Sequence, residues 1–351
     1  MSQSLLFRPI LQQRTPQFLH RSLPRVAVLS PRKMSTSATN TSPFSTLLIS
    51  PSTLQKTLTL TEKPKSRILP LSASWYLPNA PTTGHASFLQ SHIPSSVFFD
   101  LDAISSTPPS PYPHMLPSPQ KFATAMNELG IKRNDTIVVY DTADLGLFSA
   151  PRVAWTFRIF GHPNVHILNN YKLWVEQGYP TESGEVPTSA LPPTSTSDPY
   201  PTPSLDTSQV VPFEEMHSTV SSQKATTTSS PTTIILDARP AGRFTGASPE
   251  PRPGLPSGHM PTAINIPHTI LLDPSTKTLL PKEQLRKVFE ERGVKSVEGK
   301  QVICSCGTGV TATVVELGLE EAGLGRGRVY DGSWTEWAQR TSEGEGLIVK
   351  D

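Results

Sequence analysis

Short apolar runs rich in β-branched residues alternate along this chain with segments of helical character. Runs of this kind occur at residues 136–140, 233–236 and 301–303, and helical segments at 119–129 and 281–292 precede two of them. A strand covered on both faces is a short continuous apolar run, and strands that alternate with helices form a parallel sheet. Because the pattern occurs in both halves of the chain, it predicts an α/β fold with helices on both faces of each sheet.

Both cysteines of the 351-residue chain lie in one short stretch. Cys304 ends an apolar strand, and Cys306 opens a loop of Gly, Thr and Gly that runs into a helix from Thr311. Backbone N–H groups in such a loop turn inward, and with the positive end of the helix dipole they stabilise a thiolate. Cys306 is therefore the candidate nucleophile, and the alternative is a small buried hydrophobe. Cys304 is expected to be a buried strand residue, because a Cys-x-Cys disulfide would be strained.

The first 61 residues contain no Asp or Glu. Six positive charges precede Met34 in this segment, on Arg8, Arg14, Arg21, Arg25, Arg32 and Lys33. This composition is typical of a mitochondrial presequence, and a disordered tail without an import role is the alternative. Initiation at Met34 would give a cytosolic form.

The charge balance changes when the presequence is set aside. Subtracting its six charges from the 31 basic residues leaves 25 against 29 acidic ones, so the rest of the chain is mildly acidic and no direct nucleic-acid partner is predicted. The apolar clusters of the presequence are too short for a membrane span. Cys and His show no metal-ligand spacing, so neither a metal nor a cofactor is predicted.

A proline-, serine- and threonine-rich segment at residues 185–232 divides the chain, because such a composition buries too little apolar surface to offset its ordering entropy. Within it, residues 210–216 are more apolar, and residues 205–222 are expected to dock on the second domain. The predicted organisation is a presequence and disordered N-terminal segment at 1–61, a domain at 62–184, this linker at 185–232, and a cysteine-bearing domain at 233–351. The first domain has no cysteine, and its run 138–142 matches 302–306 in sequence.

The loop that begins at Cys306 resembles the active loop of two-domain rhodanese-type sulfurtransferases, in the neutral form typical of 3-mercaptopyruvate sulfurtransferases. The resemblance covers about residues 65–185 and 205–345. It rests on ordered segments at 73–78, 92–94, 98–102, 114–117, 146–152, 237–239, 242–244, 258–261, 264–267 and 330–334. It implies two tandem rhodanese-like domains, each a parallel sheet with helices on both faces, of which the first is catalytically silent.

The resemblance also implies site residues. Arg243 and Arg252 match the positions that bind the carboxylate and carbonyl of mercaptopyruvate; taken alone, each is a surface or salt-bridged arginine. The Thr308 hydroxyl would donate to the leaving enolate or to the attacking sulfur. His92 matches a histidine that joins this hydroxyl in proton transfer, and the alternative is a histidine that caps a turn. The loop residues Gly307, Gly309, Val310 and Thr311 complete the implied substrate site.

The chain departs from the family at two places near these residues. Ser72 replaces an aspartate, and the segment 82–85 lacks an acidic residue upstream of its histidine, so no acidic partner for His92 is predicted. Arg239 is expected to have a structural role, paired with Asp237 or with a carbonyl.

The implied reaction moves sulfur from 3-mercaptopyruvate to Cys306, with release of pyruvate, and then to thioredoxin, another thiol or cyanide. Thiosulfate is an alternative donor, although Gly307 and Thr308 offer no cation to its sulfonate. A cysteine phosphatase would need an arginine that closes the loop, and residues 311–313 supply none. The third alternative is a sulfur-relay or binding protein in tRNA or cofactor thiolation.

Overall fold

The computed structural model describes Met1 and residues 42–62, 64–105, 110–186, 198–225 and 232–351. Residues 2–41 of the predicted presequence and residues 187–197 and 226–231 of the predicted linker lie outside these ranges. The described residues form two five-stranded sheets in which every recorded strand pair is parallel. The predicted α/β architecture is confirmed.

The first sheet has the strand order β1-β5-β4-β2-β3. Its elements are β1 Leu48–Ile49, α1 Pro51–Leu58, β2 Ile68–Ser72, α2 Gly84–Gln90, β3 Val97–Phe98, α3 Leu101–Ile104, α4 Pro119–Glu128, β4 Thr136–Tyr140, α5 Ala150–Ile159, β5 Val165–Leu168 and α6 Tyr171–Glu176.

The second sheet has the corresponding order β6-β10-β9-β7-β8. Its elements are β6 Val210–Val211, α7 Phe213–Ala225, β7 Thr233–Asp237, α8 Ala241–Thr245, β8 Ile264–Asn265, α9 Lys282–Glu291, β9 Gln301–Ser305, α10 Ala312–Glu321, β10 Arg328–Tyr330 and α11 Ser333–Arg340. One-turn 3₁₀ helices occur at Thr207–Gln209, His268–Leu271 and Glu343–Glu345.

A local sequence signal accounts for the start of α4. Ser118 caps α4 by accepting a hydrogen bond from the Lys121 N–H, and Pro119 occupies the first helical position, where a missing N–H costs nothing. The central strands are apolar on both faces, and every residue of β4 is buried. This burial on both faces is why these strands read as continuous apolar runs in the sequence.

The folded region begins earlier than residue 62, the boundary suggested by the sequence. Leu48 and Ile49 pair with Ile167 and Leu168, which places β1 at the edge of the first sheet. A two-residue strand is too short to produce an apolar run, and α1 is rich in Ser and Thr. The short β1 therefore gives no strand signal, and α1 resembles the polar tail in composition.

The described parts of the linker contact both halves. Tyr200 is buried against the Phe122 ring, and its hydroxyl lies 2.8 Å from His162 Nδ1, so this segment packs on the first sheet's helices. Further along, β6 pairs with β10 and so extends the second sheet.

Sheet pairing shows which residues of the two halves are equivalent. The Ala73 N–H donates to the Tyr140 carbonyl, and the Ala238 N–H donates to the Ser305 carbonyl at the same place in the second sheet. Asp141 is therefore the counterpart of Cys306. The sequence comparison, which matched residues 138–142 with 302–306, was wrong by one position because an apolar run does not fix strand register.

Candidate active site

Cys306 follows the last residue of β9 at the carboxyl end of the second sheet, and α10 begins six residues later at Ala312. Its side chain is buried, with 2% of its surface exposed, and lines a cavity of about 170 Å³. Parallel sheets place their ligands at this end. Cys304 is fully buried in the strand, as predicted, and burial raises the pKa of its thiol well above the ordinary value. Both thiols are free.

The start of α11 holds the loop in place. The Ser333 hydroxyl accepts a hydrogen bond from the Cys306 N–H at 3.1 Å, and the Trp334 N–H donates to the Cys306 carbonyl at 2.9 Å. The Gly307 carbonyl accepts from both the N–H and the hydroxyl of Thr335. These bonds fix the loop backbone before any ligand arrives.

Gly309 is required by both conformation and space. Its φ of +76° lies in the left-handed region, which disfavours residues with a Cβ. A Cβ at this position would lie 2.7 Å from the Asp331 carbonyl oxygen and 2.9 Å from Arg152 Nη1. The tight loop therefore depends on this glycine.

Two arginines line the cavity with the cysteine. Arg243 Nη2 would lie 3.0 Å from a Cβ at Gly307, so its guanidinium reaches the loop. Arg252 is the second cation; burial and the neighbouring Arg243 lower its pKa, and the charges of Asp102, Cys306 and Glu250 oppose that shift. The site thus combines a candidate nucleophile with two cations. The other lining residues are Trp75, Leu77, Phe148, Arg239, Pro240, His268, Gly307, Thr308, Val310 and Thr311.

The prediction that Arg239 pairs with Asp237 or a carbonyl is confirmed. Its guanidinium donates to both Asp237 oxygens, to Glu250 and to the Gly258 carbonyl. Glu250 also accepts hydrogen bonds from Arg243, so one carboxylate orients two guanidinium groups. Arg239 therefore supports the position of Arg243.

Thr308 is part of a hydrogen-bonded chain that crosses between the two halves of the protein. Its hydroxyl lies 2.8 Å from His114 Nδ1, and His114 Nε2 lies 2.9 Å from Asp102 Oδ1. The other Asp102 oxygen accepts a hydrogen bond from Trp75 Nε1 at 2.9 Å, and the Trp75 ring meets the imidazole edge-on. The arrangement is a hydroxyl–imidazole–carboxylate relay next to the candidate nucleophile.

The protonation of the relay follows from its surroundings. Burial lowers the pKa of His114, although Asp102 opposes the shift, so the imidazole is neutral at neutral pH. Nε2 then donates to Asp102, and Nδ1 accepts from the Thr308 hydroxyl. The hydrogen bond from His114 holds the pKa of Asp102 below its ordinary value.

The structure corrects the pairing of His92 with Thr308. His92 Nδ1 bonds the Phe88 carbonyl at 2.8 Å, the His92 ring stacks on Phe88, and Nε2 lies 4.0 Å from Glu182. It caps the carboxyl end of α2, which is the structural alternative considered for it. His114 and Asp102 both lie in segments that resembled the family, but sequence order alone did not reveal their contact with Thr308.

The first half contains its own anion at the position of the thiol. One Asp141 oxygen accepts hydrogen bonds from the N–H groups of Phe148, Ser149 and Ala150, and the other accepts from the Ser149 hydroxyl. Burial raises the pKa of Asp141, and these four bonds oppose the shift. The Asp141 carboxyl group therefore binds the start of α5, at the place in the first sheet that Cys306 occupies in the second.

Comparisons with known proteins show which family the chain belongs to. The family model of the Rhodanese-like domain matches residues 220–340. The thiosulfate sulfurtransferase TUM1 of Saccharomyces cerevisiae is 41% identical over 300 residues, which are 84% of this chain and 95% of the yeast protein. The mitochondrial thiosulfate/3-mercaptopyruvate sulfurtransferase 1 of Arabidopsis thaliana is 40% identical over 76% of this chain and 71% of its own length.

The chain belongs to the rhodanese family. Among solved structures, SseA from Escherichia coli, described as a 3-mercaptopyruvate sulfotransferase with the rhodanese fold, superposes with a TM-score of 0.68. It is 32% identical, and the match covers 83% of this chain and 99% of SseA. The protein is therefore a sulfurtransferase with two tandem rhodanese domains.

This rhodanese shows no helix long and apolar enough to cross a membrane in the part of the chain that the structure describes.

Proposed function

We propose that the protein transfers sulfur from 3-mercaptopyruvate to a thiol or cyanide acceptor through a persulfide on Cys306. The observation that carries this proposal is the relay from Thr308 through His114 to Asp102. Pyruvate leaves as an enolate, which needs a proton on carbon. Sulfite, the product from thiosulfate, leaves without one. A proton relay beside the nucleophile would therefore assist the reaction with 3-mercaptopyruvate and would have no role in the reaction with thiosulfate.

The two cavity arginines fit the same donor. A guanidinium pairs with a carboxylate through two parallel hydrogen bonds, and a second cation stabilises the negative charge that develops on a carbonyl oxygen. We assign these tasks to Arg243 and Arg252, both of which line the cavity with Cys306. The amides of Gly307, Gly309, Val310 and Thr311 would hold the anionic sulfur.

The first half-reaction forms the persulfide and releases pyruvate. The Cys306 thiolate attacks the donor sulfur, an S–S bond forms, and the C–S bond breaks, so its electron pair enters the enolate of pyruvate. The Thr308 hydroxyl takes the proton of the donor S–H as it passes its own proton to His114 Nδ1, and the proton returns through the same hydroxyl to the enolate carbon. Pyruvate leaves, and Cys306 carries a persulfide anion.

In the second half-reaction an acceptor thiol attacks the outer sulfur. The new S–S bond forms on the acceptor, its proton moves to the transferred sulfur, and the Cys306 thiolate leaves. We propose thioredoxin or a small thiol as this acceptor. A relay protein would instead pass its sulfur only to a dedicated protein, so discharge of the persulfide by a small thiol separates these two functions.

Thiosulfate is a second candidate donor. Relatives named for thiosulfate are about as similar to this chain as those named for 3-mercaptopyruvate. Two cationic side chains in the cavity also suit a sulfonate.

The test compares pyruvate release from 3-mercaptopyruvate with sulfite release from thiosulfate, in wild type and in Thr308→Val. The proposal predicts efficient pyruvate release that falls roughly 100-fold in the variant, the contribution of one proton-transfer group, while sulfite release changes little. Thiosulfate preference in the wild type, or equal losses with both donors, would contradict it.

For location, we propose a mitochondrial enzyme imported by the basic segment before Met34, with a cytosolic form when translation starts at Met34. The composition of that segment supports import. Fractionation of cells that express the chain with and without its first 33 residues tests this, and mitochondrial recovery of the shortened form would contradict it.

A further inference from the structure

Arg152, on α5 of the first half, is buried between the two halves and contacts both of them. Its side chain is 1% exposed. Nη2 donates to the His114 carbonyl at 2.6 Å and to Asp331 Oδ1 at 2.5 Å, and Nη1 donates to the Gly309 carbonyl at 3.3 Å. A single guanidinium therefore joins the relay histidine to the loop that carries the nucleophile.

The His114 backbone needs such support. Its φ of +64° lies in the left-handed region, which is unfavourable for a residue with a Cβ and persists only where surroundings enforce it. The bond from Arg152 to the His114 carbonyl acts directly on this peptide. Without it, the backbone at His114 would relax toward a more favourable conformation and carry the imidazole away from Thr308.

Asp331 strengthens the same connection from the second half. Its Oδ1 pairs with Arg152, and its Oδ2 accepts a hydrogen bond from the Leu116 N–H at 2.9 Å. The segment from His114 to Leu116 is thus held at one end by the arginine and at the other by the aspartate. The bond from Leu116 to Asp331 crosses from the first half to the second. The bond from Arg152 to His114 lies within the first half, but Arg152 itself is paired with Asp331 of the second.

We propose that Arg152 is a positioning residue of the relay, which sets the hydrogen bond between His114 and Thr308 by fixing the His114 peptide against the Gly309 carbonyl. The inference rests on the proposed function, because that relay serves only a donor whose leaving group needs a proton. Arg152 lies outside the residues that line the cavity, so it acts on the reaction through His114.

The charges that face His114 are Asp102, Arg252 and Arg152. Asp102 favours its protonated form, and the two arginines oppose it. Replacing Arg152 by a neutral residue therefore loosens the relay and also removes one charge that keeps the imidazole neutral. Arg152→Lys retains that charge but lacks the two-pronged donor, so it separates the two effects.

The chain offers a matched control on the same helix. Arg158 pairs with Glu320 of α10 through two bonds of 2.9 Å, so it also joins the two halves, but its partner belongs neither to the relay nor to the active loop. Arg158→Met removes an ion pair between the halves and leaves His114 untouched. A loss shared by both variants would report on general association of the halves.

The experiment measures the burst of pyruvate by rapid quench in wild type, Arg152→Met, Arg152→Lys and Arg158→Met. Alkylation of Cys306 by iodoacetamide, followed in parallel, reports the state of the loop independently of the relay. In both Arg152 variants we expect the burst rate constant to fall roughly 10- to 100-fold, which is the usual effect of a small misplacement of a reacting group. The donor concentration that gives half the maximal burst rate, and the rate of Cys306 alkylation, should each change less than about twofold. Arg158→Met should match wild type in all three.

Burst and alkylation rates that fall together in Arg152→Met, or a burst equal to wild type, would overturn the proposal. So would a loss of the same size in Arg158→Met. A wild-type enzyme that releases no pyruvate from 3-mercaptopyruvate would remove the proposed function and this role with it.

Arg152→Met also leaves the Asp331 carboxylate buried without its partner, which endangers folding. The double variant Arg152→Met/Asp331→Asn removes that charge while the positioning bond stays broken. It is expected to fold and to show the same slow burst, and a normal burst in it would overturn the proposal.

Discussion

His114 Nδ1 lies 2.8 Å from Thr308 Oγ1, although 194 residues separate them in the chain. The imidazole belongs to the half without a catalytic cysteine, and the hydroxyl belongs to the loop that carries Cys306. The first rhodanese domain has Asp141 at the position that Cys306 occupies in the second, and its His114 and Asp102 form a hydrogen-bonded chain with Thr308 of the second.

His114→Gln tests the relay against the histidine chosen from the sequence. Loss of the imidazole should lower turnover of 3-mercaptopyruvate roughly 100-fold, because the enolate then receives its proton from water. His92→Gln changes a helix cap and should stay within about threefold of wild type, with a lower melting temperature. Steady-state pyruvate release measures both, and a larger loss in His92→Gln would restore His92 to the mechanism.

The pH dependence of the first half-reaction should depend on His114. Only the neutral imidazole accepts from Thr308, and burial holds its pKa below the ordinary 6.5. The burst rate should therefore stay constant from neutral pH to below 6.5 and fall as pH drops through the lowered pKa. This acid limb should disappear in His114→Gln; an unchanged limb would assign it to another group.

Gly309 and Gly178 both have a positive φ, but only Gly309 lacks room for a Cβ. Gly309 has the Asp331 carbonyl 2.7 Å from a built Cβ, whereas Gly178, at φ +69°, has nothing within 4 Å. Gly178→Ala should cost about 1–2 kcal/mol of unfolding free energy, the price of a left-handed alanine, and leave activity intact. Gly309→Ala should cost more and abolish the burst. Urea unfolding measures the stability of both variants, and burst kinetics measure their activity. An active Gly309→Ala variant would mean that the loop backbone can shift to accommodate a Cβ.

Stability should decrease in mild acid because of His162. Its Nε2 donates to the Asp135 carbonyl and its Nδ1 accepts from Tyr200, and burial lowers its pKa to about 4. The unfolded chain takes up a proton near pH 6.5 while the folded protein stays neutral, so stability present above pH 6.5 is lost as pH falls toward 4. The loss should reach roughly 3 kcal/mol, at about 1.4 kcal/mol per pH unit.

Urea unfolding between pH 7 and pH 4 measures this loss, with His162→Gln as the reference for all other titrating groups. The variant should be less stable at neutral pH but less sensitive to acid. Parallel curves for the two proteins would contradict the assignment.

Strands, helices and short-range ion pairs of this rhodanese could be predicted from the sequence. The strand at Thr136–Tyr140 was predicted with its observed bounds, and the helix predicted at 119–129 ends one residue earlier, at Glu128. The pairing of Arg239 with Asp237 spans two residues and was also predictable. In each case the physical signal lies within a few residues of the feature.

Features that depend on contact between distant segments could not be predicted from the sequence. Nothing near His114 in the sequence indicates that its loop meets Thr308, because that contact arises only when the two halves pack. The equivalence of Asp141 and Cys306 depends on strand register, which the hydrogen bonds of Ala73 and Ala238 define. The first strand was not predicted because two residues are too few to form a periodic pattern.

The most direct test of the account is a single turnover with 3-mercaptopyruvate and no acceptor, in wild type, Cys306→Ser and Cys304→Ala. We expect one pyruvate per enzyme molecule, with one added sulfur atom located on Cys306 by peptide mass spectrometry. Cys304→Ala should behave like wild type in this reaction, and Cys306→Ser should release no pyruvate. Pyruvate release from Cys306→Ser, or the added sulfur on Cys304, would contradict the account.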